Sequence, residues 1–366
     1  MILAALAADA APGKNFSGVK KLDSDENVEA VLLRSIDAQR FIFKMAASPA
    51  GQTQIATERS VAKALAKVAD LLPFEISHEV GSTFDVDGEV GILFSFVEGE
   101  EPDLVKLPPG AFSKTLADSL AAIHSLSLGI VKEAGLPEYD ASQVLHQRVS
   151  ELDRIAATGR VPADLLSRWE AALEDVGLFR FHPTVVHGSI SKDSLKLAGQ
   201  RVVGVTGLEN LKISDPAEDL SWIIGAGLSS TVEDTLLHYR AARPTADENL
   251  MQRATLYSEL ELGSWLVHCI EQGDEEAASQ AEELVNELRD QLDSGSLPSL
   301  RAASFAGLVA GSAMLPAVTS AIPLVSEASE PVEELDVEDD QATESLEISD
   351  LFENETEQKS NPDELF

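Results

Sequence analysis

A short β-rich segment interrupts a long helical region of the sequence, and this interruption limits the possible folds more than any other feature. Apolar residues suited to strands run over 184–187 and again over 201–206, whereas helical patterns occupy the sequence on both sides. The first run ends in His187-Gly188, and a polar loop follows it. A helix start comes after the second run, where Asp215 precedes a proline. The sequence therefore predicts an α+β fold.

The first hundred residues have the patterns of two strand pairs and one helix. Val28 opens an apolar, β-branched run, and a turn at Asp37 leads into the run that starts at Phe41. A second turn is expected around Asp87-Gly88. The predicted elements are strands at 28–36 and 41–44, a helix at 54–69, and strands at 76–85 and 90–97.

After Gly110 the patterns become helical. Apolar residues recur at helical spacing, for example at Leu116, Leu120 and Ile123. The chain is thus predicted to have a small β-rich region at residues 1–100 and a mostly helical region at 101–295. The predicted helices of the second region include 111–126, 141–157, 162–176, 247–270 and 274–292.

The composition changes after Leu297. Residues 302–326 contain no charged side chain and are long enough to span a membrane, but they are rich in Ala, Gly and Ser and contain two prolines. We interpret 296–326 as a linker, with a membrane anchor as the alternative. Residues 327–366 contain sixteen acidic side chains and one lysine. We expect a disordered tail here, because it cannot bury enough apolar surface to offset the entropy of ordering.

Charge and cysteine content restrict the partners and the compartment. The formal net charge of −36 disfavours nucleic acid and anionic membranes and suits a small cationic molecule, although an acidic surface also serves solubility alone. The single cysteine, Cys269, excludes an intramolecular disulfide and a cysteine-based metal site. No basic residue precedes the apolar N terminus, which we interpret as an amphipathic helix rather than a signal peptide. We expect a cytoplasmic protein.

Several motifs occur in an order that is typical of one family. They are Leu-Ala-Ala-Ile-His at 120–124, His187-Gly188 at a strand end, and Asp-Pro-Ala-Glu-Asp-Leu at 215–220. With these motifs, residues 10–290 resemble the aminoglycoside and macrolide phosphotransferase family, and within it most closely the macrolide-type branch. The resemblance implies a two-lobed, protein-kinase-like fold.

The resemblance also implies where the residues for phosphoryl transfer belong, and this sequence departs from the family there. The family has an Asp after His-Gly, an Asn five residues later and a second Asp after the hairpin; these positions hold Ser189, Ser194 and Gly207. In the family, the first Asp accepts the proton of the attacking hydroxyl, and the Asn and second Asp hold Mg²⁺. A serine hydroxyl is a far weaker base than a carboxylate, and glycine offers no ligand. We therefore expect a catalytically inactive, pseudokinase-like member.

Two nearby carboxylates are candidate substitutes for the missing ones. Asp193 lies in the same loop as Ser189, and Glu209 comes two residues after Gly207 on the same face of an extended chain. Together they would bind one cation. The alternative is that Asp193 is a turn residue and Glu209 a surface charge.

The resemblance assigns supporting roles to five further residues. Lys44 would pair with Glu58 and hold the phosphates of ATP or GTP with Mg²⁺; alternatively, the two are a strand lysine and a helix-surface glutamate. His187, Asp215 and Asp219 would be structural, with Asp215 capping the helix that starts at the following proline.

Three functional hypotheses remain open from the sequence. The first is an inactive, binding or scaffolding member of the family. The second is an active ATP- or GTP-dependent phosphotransferase that acts on a hydroxyl of a macrolide- or aminoglycoside-like molecule. The third is an interaction protein that binds protein partners through the acidic tail, with the folded part as a platform.

Overall fold

An antiparallel sheet of five strands forms the N-terminal part of the computed structural model, which describes residues 2–22, 26–85 and 88–302. The strand order is β1-β2-β3-β5-β4, so β1 and β4 are the edges. The strands are β1 (Phe16–Lys21), β2 (Val28–Ser35), β3 (Arg40–Ala46), β4 (Glu79–Phe84) and β5 (Val90–Ser95).

A short N-terminal helix, α1 (Ile2–Ala10), covers one face of this sheet. Its buried Ala7 and Ala10 join a cluster with strand residues such as Leu33 and Phe43, which are fully buried. The helix approaches β4 so closely that a Cβ atom on Gly81 would lie 1.9 Å from the backbone oxygen of Ala10. Glycine at this position therefore permits the helix to dock.

A longer helix, α2 (Pro49–Ala66), packs on the other face. Its start is encoded locally: the side chain of Ser48 accepts a hydrogen bond from the Gly51 N–H at 3.1 Å, and Pro49 occupies the first turn. Ile55 of α2 packs with Ile92 and Phe94 of β5. We call the sheet with α1 and α2 the small lobe.

The rest of the described chain is mostly helical, and we call it the large lobe. Apolar side chains from nearly all of its helices form one continuous core. At the centre lies α9, which packs against α5, α7 and α10. The helices are α3 (Ala111–His124), α4 (Leu128–Ala134), α5 (Ala141–Ala157), α6 (Ala163–Leu173), α7 (Ala217–Ala226), α8 (Ser229–Ala242), α9 (Leu250–Gln272) and α10 (Glu275–Asp293).

Two small strand pairs lie between α6 and α7 in the sequence, and the second of them contacts the small lobe. β6 (Thr184–Val186) pairs with β9 (Lys212–Ser214), and β7 (Leu195–Ala198) pairs with β8 (Arg201–Val205), both antiparallel. Backbone hydrogen bonds join this segment to the small lobe at Glu75, before β4, and to the chain that leaves the small lobe at Glu100. Glu75 bonds to Val203 and Val205, while the N–H groups and oxygens of Glu100 and Leu197 bond reciprocally at 2.9 and 2.7 Å.

Most predicted elements are present, although several elements were not predicted and several boundaries differ. The structure adds β1, α4 and β9, so three strands rather than two precede α2. Helix α2 begins at Pro49 rather than at residue 54, because the Ser48 cap satisfies its first turn. The predicted helix at 141–157 has the same bounds in the structure.

Three predictions concern residues that are not described. The acidic tail at 327–366 lies outside the described residues, as does the 296–326 linker beyond Ala302, and Asp87 of the second predicted turn is also outside them. Within the described part of the chain, no helix combines the length and the apolar character that crossing a membrane requires.

Candidate functional site

The loop after β6 begins with a turn that requires glycine. Gly188 has a φ angle of +80°, and a Cβ atom there would lie 2.7 Å from the backbone oxygen of Asn210. Only glycine adopts this conformation without strain, and the close approach leaves no room for a side chain. The chain therefore turns sharply after His187 and brings Ser189 to the wall of a cavity.

The carboxylate of Asp219 holds both backbone N–H groups of this turn. It accepts hydrogen bonds from His187 N at 2.6 Å and Gly188 N at 2.9 Å, and Nε2 of His124 lies 3.0 Å away. Burial by itself raises the pKa of Asp219. The hydrogen bond from His124, the attraction of both histidines and the Gly188 N–H outweigh burial and hold this pKa below its ordinary value. Asp219, in the first turn of α7, thus braces the loop.

The ring of His187 joins this loop to the segment after β8. Its Nε2 atom lies 2.8 Å from the backbone oxygen of Thr206, which is an acceptor, so Nε2 carries the hydrogen. The Nδ1 atom then accepts from the backbone N–H of Ser189 at 3.4 Å. The fully buried imidazole therefore fixes the distance between Ser189 and the chain that reaches Gly207.

A buried ion pair anchors the start of α7. Arg253 donates to both carboxylate oxygens of Asp215 at 2.6 and 3.0 Å, and the hydroxyl of Tyr257 donates to the same carboxylate at 2.8 Å. Asp215 also accepts from the Ala217 N–H at 3.0 Å. The pKa of Tyr257 is well above its ordinary value because burial and the charge of Asp215 disfavour the phenolate.

The sequence reasoning missed Arg253 as the partner of Asp215. A signal for it was present: Arg253 stands in the first turn of α9, a helix that is otherwise buried over most of its length. A cation in such a position needs a buried carboxylate partner.

The structure brings together the three positions where the sequence lacks the family's functional side chains. The hydroxyl of Ser194 accepts from Ser191 N at 2.9 Å and lies 3.4 Å from the backbone oxygen of Ser189, so it closes the loop on itself. The backbone oxygen of Ser194 accepts from Thr206 N at 2.8 Å, directly before Gly207. Gly207 has a φ angle of +79°. These positions thus adjoin one another, and none of them carries a carboxylate.

The two candidate substitutes have different surroundings. The side chain of Asp193 is about half exposed, and its Oδ1 atom lies 4.0 Å from Nζ of Lys192. Glu209 lines the cleft described below and lies near enough to Glu58 to raise its pKa. Among the residues that the structure describes, no group of three or more His, Cys, Asp or Glu side chains is arranged to hold a metal ion. Mg²⁺ prefers several oxygen ligands including carboxylates, so the residues present do not fit the ion that the family's chemistry uses.

A cleft of about 360 Å³ lies between the small lobe and the β-rich segment of the large lobe. Lys44 of β3 donates to both carboxylate oxygens of Glu58 on α2, at 2.8 and 2.9 Å, at the edge of this cleft. The two residues therefore form the predicted pair, while their role toward a nucleotide stays a prediction. Burial raises the pKa of Glu58, Lys44 opposes this effect, and the charge of Glu209 adds to it.

A second cavity of about 390 Å³ lies on the other side of the Ser189 loop, between this loop, α7 and α9. Its charged lining consists of Arg148, Lys212, Glu218 and Glu261. Lys212 donates to Glu218 at 2.7 Å, whereas burial, together with the charge of Glu151, raises the pKa of Glu261. The sequence analysis assigned none of these four residues to a site, because α5, β9, α7 and α9 bring them together only in the folded chain.

Most of the chain matches the model of one protein family. Residues 18–290 match the model of the phosphotransferase enzyme family. No curated protein matches the sequence.

Solved structures of the same kind share this fold. A macrolide 2′-phosphotransferase from Brachybacterium faecium, determined as the apoenzyme, superposes with a TM-score of 0.63 at 19% identity, over 77% of this chain and 95% of that one. A macrolide 2′-phosphotransferase type I superposes with a TM-score of 0.59 at 20% identity, over 77% of this chain and 94% of that one. The GDP complex of a wild-type aminoglycoside 2′-phosphotransferase superposes with a TM-score of 0.60 at 16% identity, over 78% of this chain and 96% of that one. These values confirm the predicted kinase-like fold.

Proposed function

Because this chain belongs to the phosphotransferase enzyme family, we propose that it is a member that binds a ligand in the cleft between its lobes and does not transfer phosphate. The proposal joins two features: a supported and ordered cleft, and the loss of the side chains that the reaction needs.

The observation that carries this proposal is the combination of Ser189, Ser194 and Gly207 in one supported loop region. Phosphoryl transfer depends on positioning and on neutralising the charge of the phosphates, which a base and two metal ligands supply. Ser189 has no charge to attract a proton from an acceptor hydroxyl. Ser194 uses its hydroxyl within the loop, and Gly207 has no side chain. Three losses at adjoining positions remove both the base and the metal ligands.

The retained features support binding rather than loss of all function. Lys44 keeps its bidentate contact with Glu58, and Asp219 and His187 keep the loop braced. The cleft has the volume of an ordinary small-molecule site. Structural neighbours were solved with GDP, which supports a ligand that has a flat base of the nucleotide kind.

An active enzyme is the second candidate, and one observation favours it. Glu209 places a carboxylate in the cleft near Glu58, where a cation would meet negative charge. An active enzyme would use ATP or GTP and phosphorylate a hydroxyl of a small cationic molecule, as the macrolide- and aminoglycoside-directed neighbours suggest.

Turnover assays separate the two candidates. The full-length chain is incubated with radiolabelled ATP or GTP, with Mg²⁺ or with EDTA, in the presence of aminoglycosides and macrolides, and release or transfer of the γ-phosphate is measured. We expect no transfer above the level of buffer. Mg²⁺-dependent transfer that Lys44→Ala abolishes, and that Lys114→Ala on the exposed surface of α3 preserves, would overturn the proposal.

A further inference from the structure

The charged side chains that line the cleft are unevenly paired. Its walls are apolar and come from both lobes, with Ile42, Val61, Leu65, Phe94 and Leu208 among them. Such walls suit a flat ring system. The charged lining consists of two lysines, Lys44 and Lys196, and three glutamates, Glu58, Glu101 and Glu209.

Both lysines already have carboxylate partners. Lys44 bonds to both oxygens of Glu58, with the lysine 26% and the glutamate 15% exposed. Lys196 lies 3.3 Å from Glu101 and also donates to the backbone oxygen of Asp193 at 3.0 Å. Each lysine charge is therefore balanced by a carboxylate, so these two pairs give the cleft no net positive charge.

Glu209 differs from the other charged side chains of the cleft because its carboxylate has no cationic partner among the described residues. Within the described residues, no lysine or arginine forms an ion pair with its carboxylate, although it lines the same cleft. The negative charge of Glu209 raises the pKa of Glu58 by electrostatic repulsion. The cleft therefore presents more negative than positive charge, and the excess is at Glu209.

We infer that this cleft selects a flat heteroaromatic ligand that bears an amine, with the amine against Glu209, rather than a nucleotide with phosphates. The inference rests on the proposed function, because without metal ligands the cleft has no net positive charge to neutralise a triphosphate beside Glu209 and Glu58. An amine, by contrast, supplies a cation to the one cleft carboxylate that has none among the described residues, at a partly buried position where water screens the pair only in part. Apolar contact with Phe94 and Leu208 would supply most of the affinity.

Three related compounds test this inference by calorimetry on the full-length chain: adenosine, 5′-amino-5′-deoxyadenosine and ATP. They share one base and sugar and differ in the charge at a single position. We expect the amino compound to bind more tightly than adenosine, and adenosine more tightly than ATP, both with Mg²⁺ and with EDTA. Glu209→Gln should weaken binding of the amino compound about three- to tenfold and leave the affinity for adenosine unchanged, as expected for one partly screened ion pair.

A matched control makes the same charge change elsewhere. Glu170→Gln, on the exposed surface of α6, should leave all three affinities unchanged, which separates a local contact from the net charge of the protein. Tighter binding of ATP than of adenosine would overturn the inference, and so would failure of all three compounds to bind. Neither result touches the proposed loss of catalysis, which phosphate transfer alone decides.

Discussion

Arg253 and Asp215 form a bidentate ion pair in which neither side chain is exposed to solvent, with donor–acceptor distances of 2.6 and 3.0 Å. The pair connects the first turn of α9 to the start of α7, at the base of the Ser189 loop. Asp247 and the backbone oxygen of Leu178 accept further bonds from the same guanidinium. The Nε, Nη1 and Nη2 atoms of Arg253 therefore all donate to acceptors within the large lobe.

Removal of this cation should strongly destabilise the large lobe. Arg253→Met leaves Asp215 charged and buried without its cation, which typically costs about 3–5 kcal/mol of unfolding free energy. Arg253→Lys should also cost stability, because an ammonium group cannot reproduce the planar, bidentate contact. Chemical denaturation measures both variants.

The control for this prediction is Arg289→Met on α10, where the arginine is 46% exposed and pairs with Asp164 at 3.4 Å. A surface pair of this kind contributes about 0–1 kcal/mol. Equal losses for the two methionine variants would contradict the assignment of Arg253 as a core anchor.

The stability of the fold should depend on the ionisation of Asp219. Its pKa in the folded state is below the ordinary value because the bond from His124, both histidines and the Gly188 N–H outweigh the effect of burial. The ionised carboxylate therefore stabilises the folded state at pH values above the unfolded pKa of about 3.9, and this contribution is lost as the pH falls below that value toward the folded pKa.

Asp219→Asn tests this dependence. At neutral pH the variant should lose about 1.5–3 kcal/mol, the usual contribution of hydrogen bonds to a charged group. The difference from the unmodified protein should shrink as the pH falls below about 4. Unfolding free energies measured across this range check the result, and a difference that stays constant with pH would contradict it.

Lys44 should limit the cost of burying Glu58. Burial and the charge of Glu209 raise the pKa of Glu58, and Lys44 acts in the opposite direction. Lys44→Met should therefore raise this pKa further. For a carboxyl group whose folded pKa is raised, stability is highest below the unfolded pKa of about 4.3 and is lost as the pH rises through the folded pKa.

We therefore expect Lys44→Met to lose more stability between pH 4 and pH 7 than the unmodified protein does. The double variant Lys44→Met/Glu58→Gln removes the buried charge as well and should show no such additional loss. Denaturation of the three proteins at several pH values measures this coupling. A pH dependence that is identical in the single and double variants would argue against it.

Two glycines of the small-lobe sheet should respond very differently to alanine. At Gly81 of β4 a Cβ atom would lie 1.9 Å from the Ala10 backbone oxygen, so Gly81→Ala must displace α1. At Gly18 of β1 the nearest atom is 3.8 Å away, which is ordinary contact. We expect Gly81→Ala to cost about 1–3 kcal/mol, as overpacking does, and Gly18→Ala to change stability by less than about 1 kcal/mol.

Hydrogen exchange adds a local measurement to this comparison. Displacement of α1 should increase amide exchange in α1 and β4 for Gly81→Ala only. Equal exchange in both variants would show that α1 is not held by this contact.

Long elements with strong patterns were predictable from the sequence, whereas short or exposed elements were not. The helix at Ala141–Ala157 has regular apolar spacing and an Asp140 capping box, and both are local signals. Strand β1 has five exposed residues out of six, so its stability comes from hydrogen bonds to β2 that no side-chain pattern reports. Strand β9 is three residues long and exists because β6 lies beside it.

The candidate site shows the same division. By itself, the sequence determined the two-lobed fold and the absence of carboxylates at positions 189, 194 and 207, because these follow from motif order and residue identity. The pair of Lys44 and Glu58 was one of two alternatives until the structure placed the two side chains in contact. Only the tertiary structure decided that both cleft lysines are already paired, that Glu209 has no cationic partner among the described residues, and that Arg253 anchors Asp215. These contacts join residues that are far apart in sequence, and only the packing of the folded chain determines which of them meet.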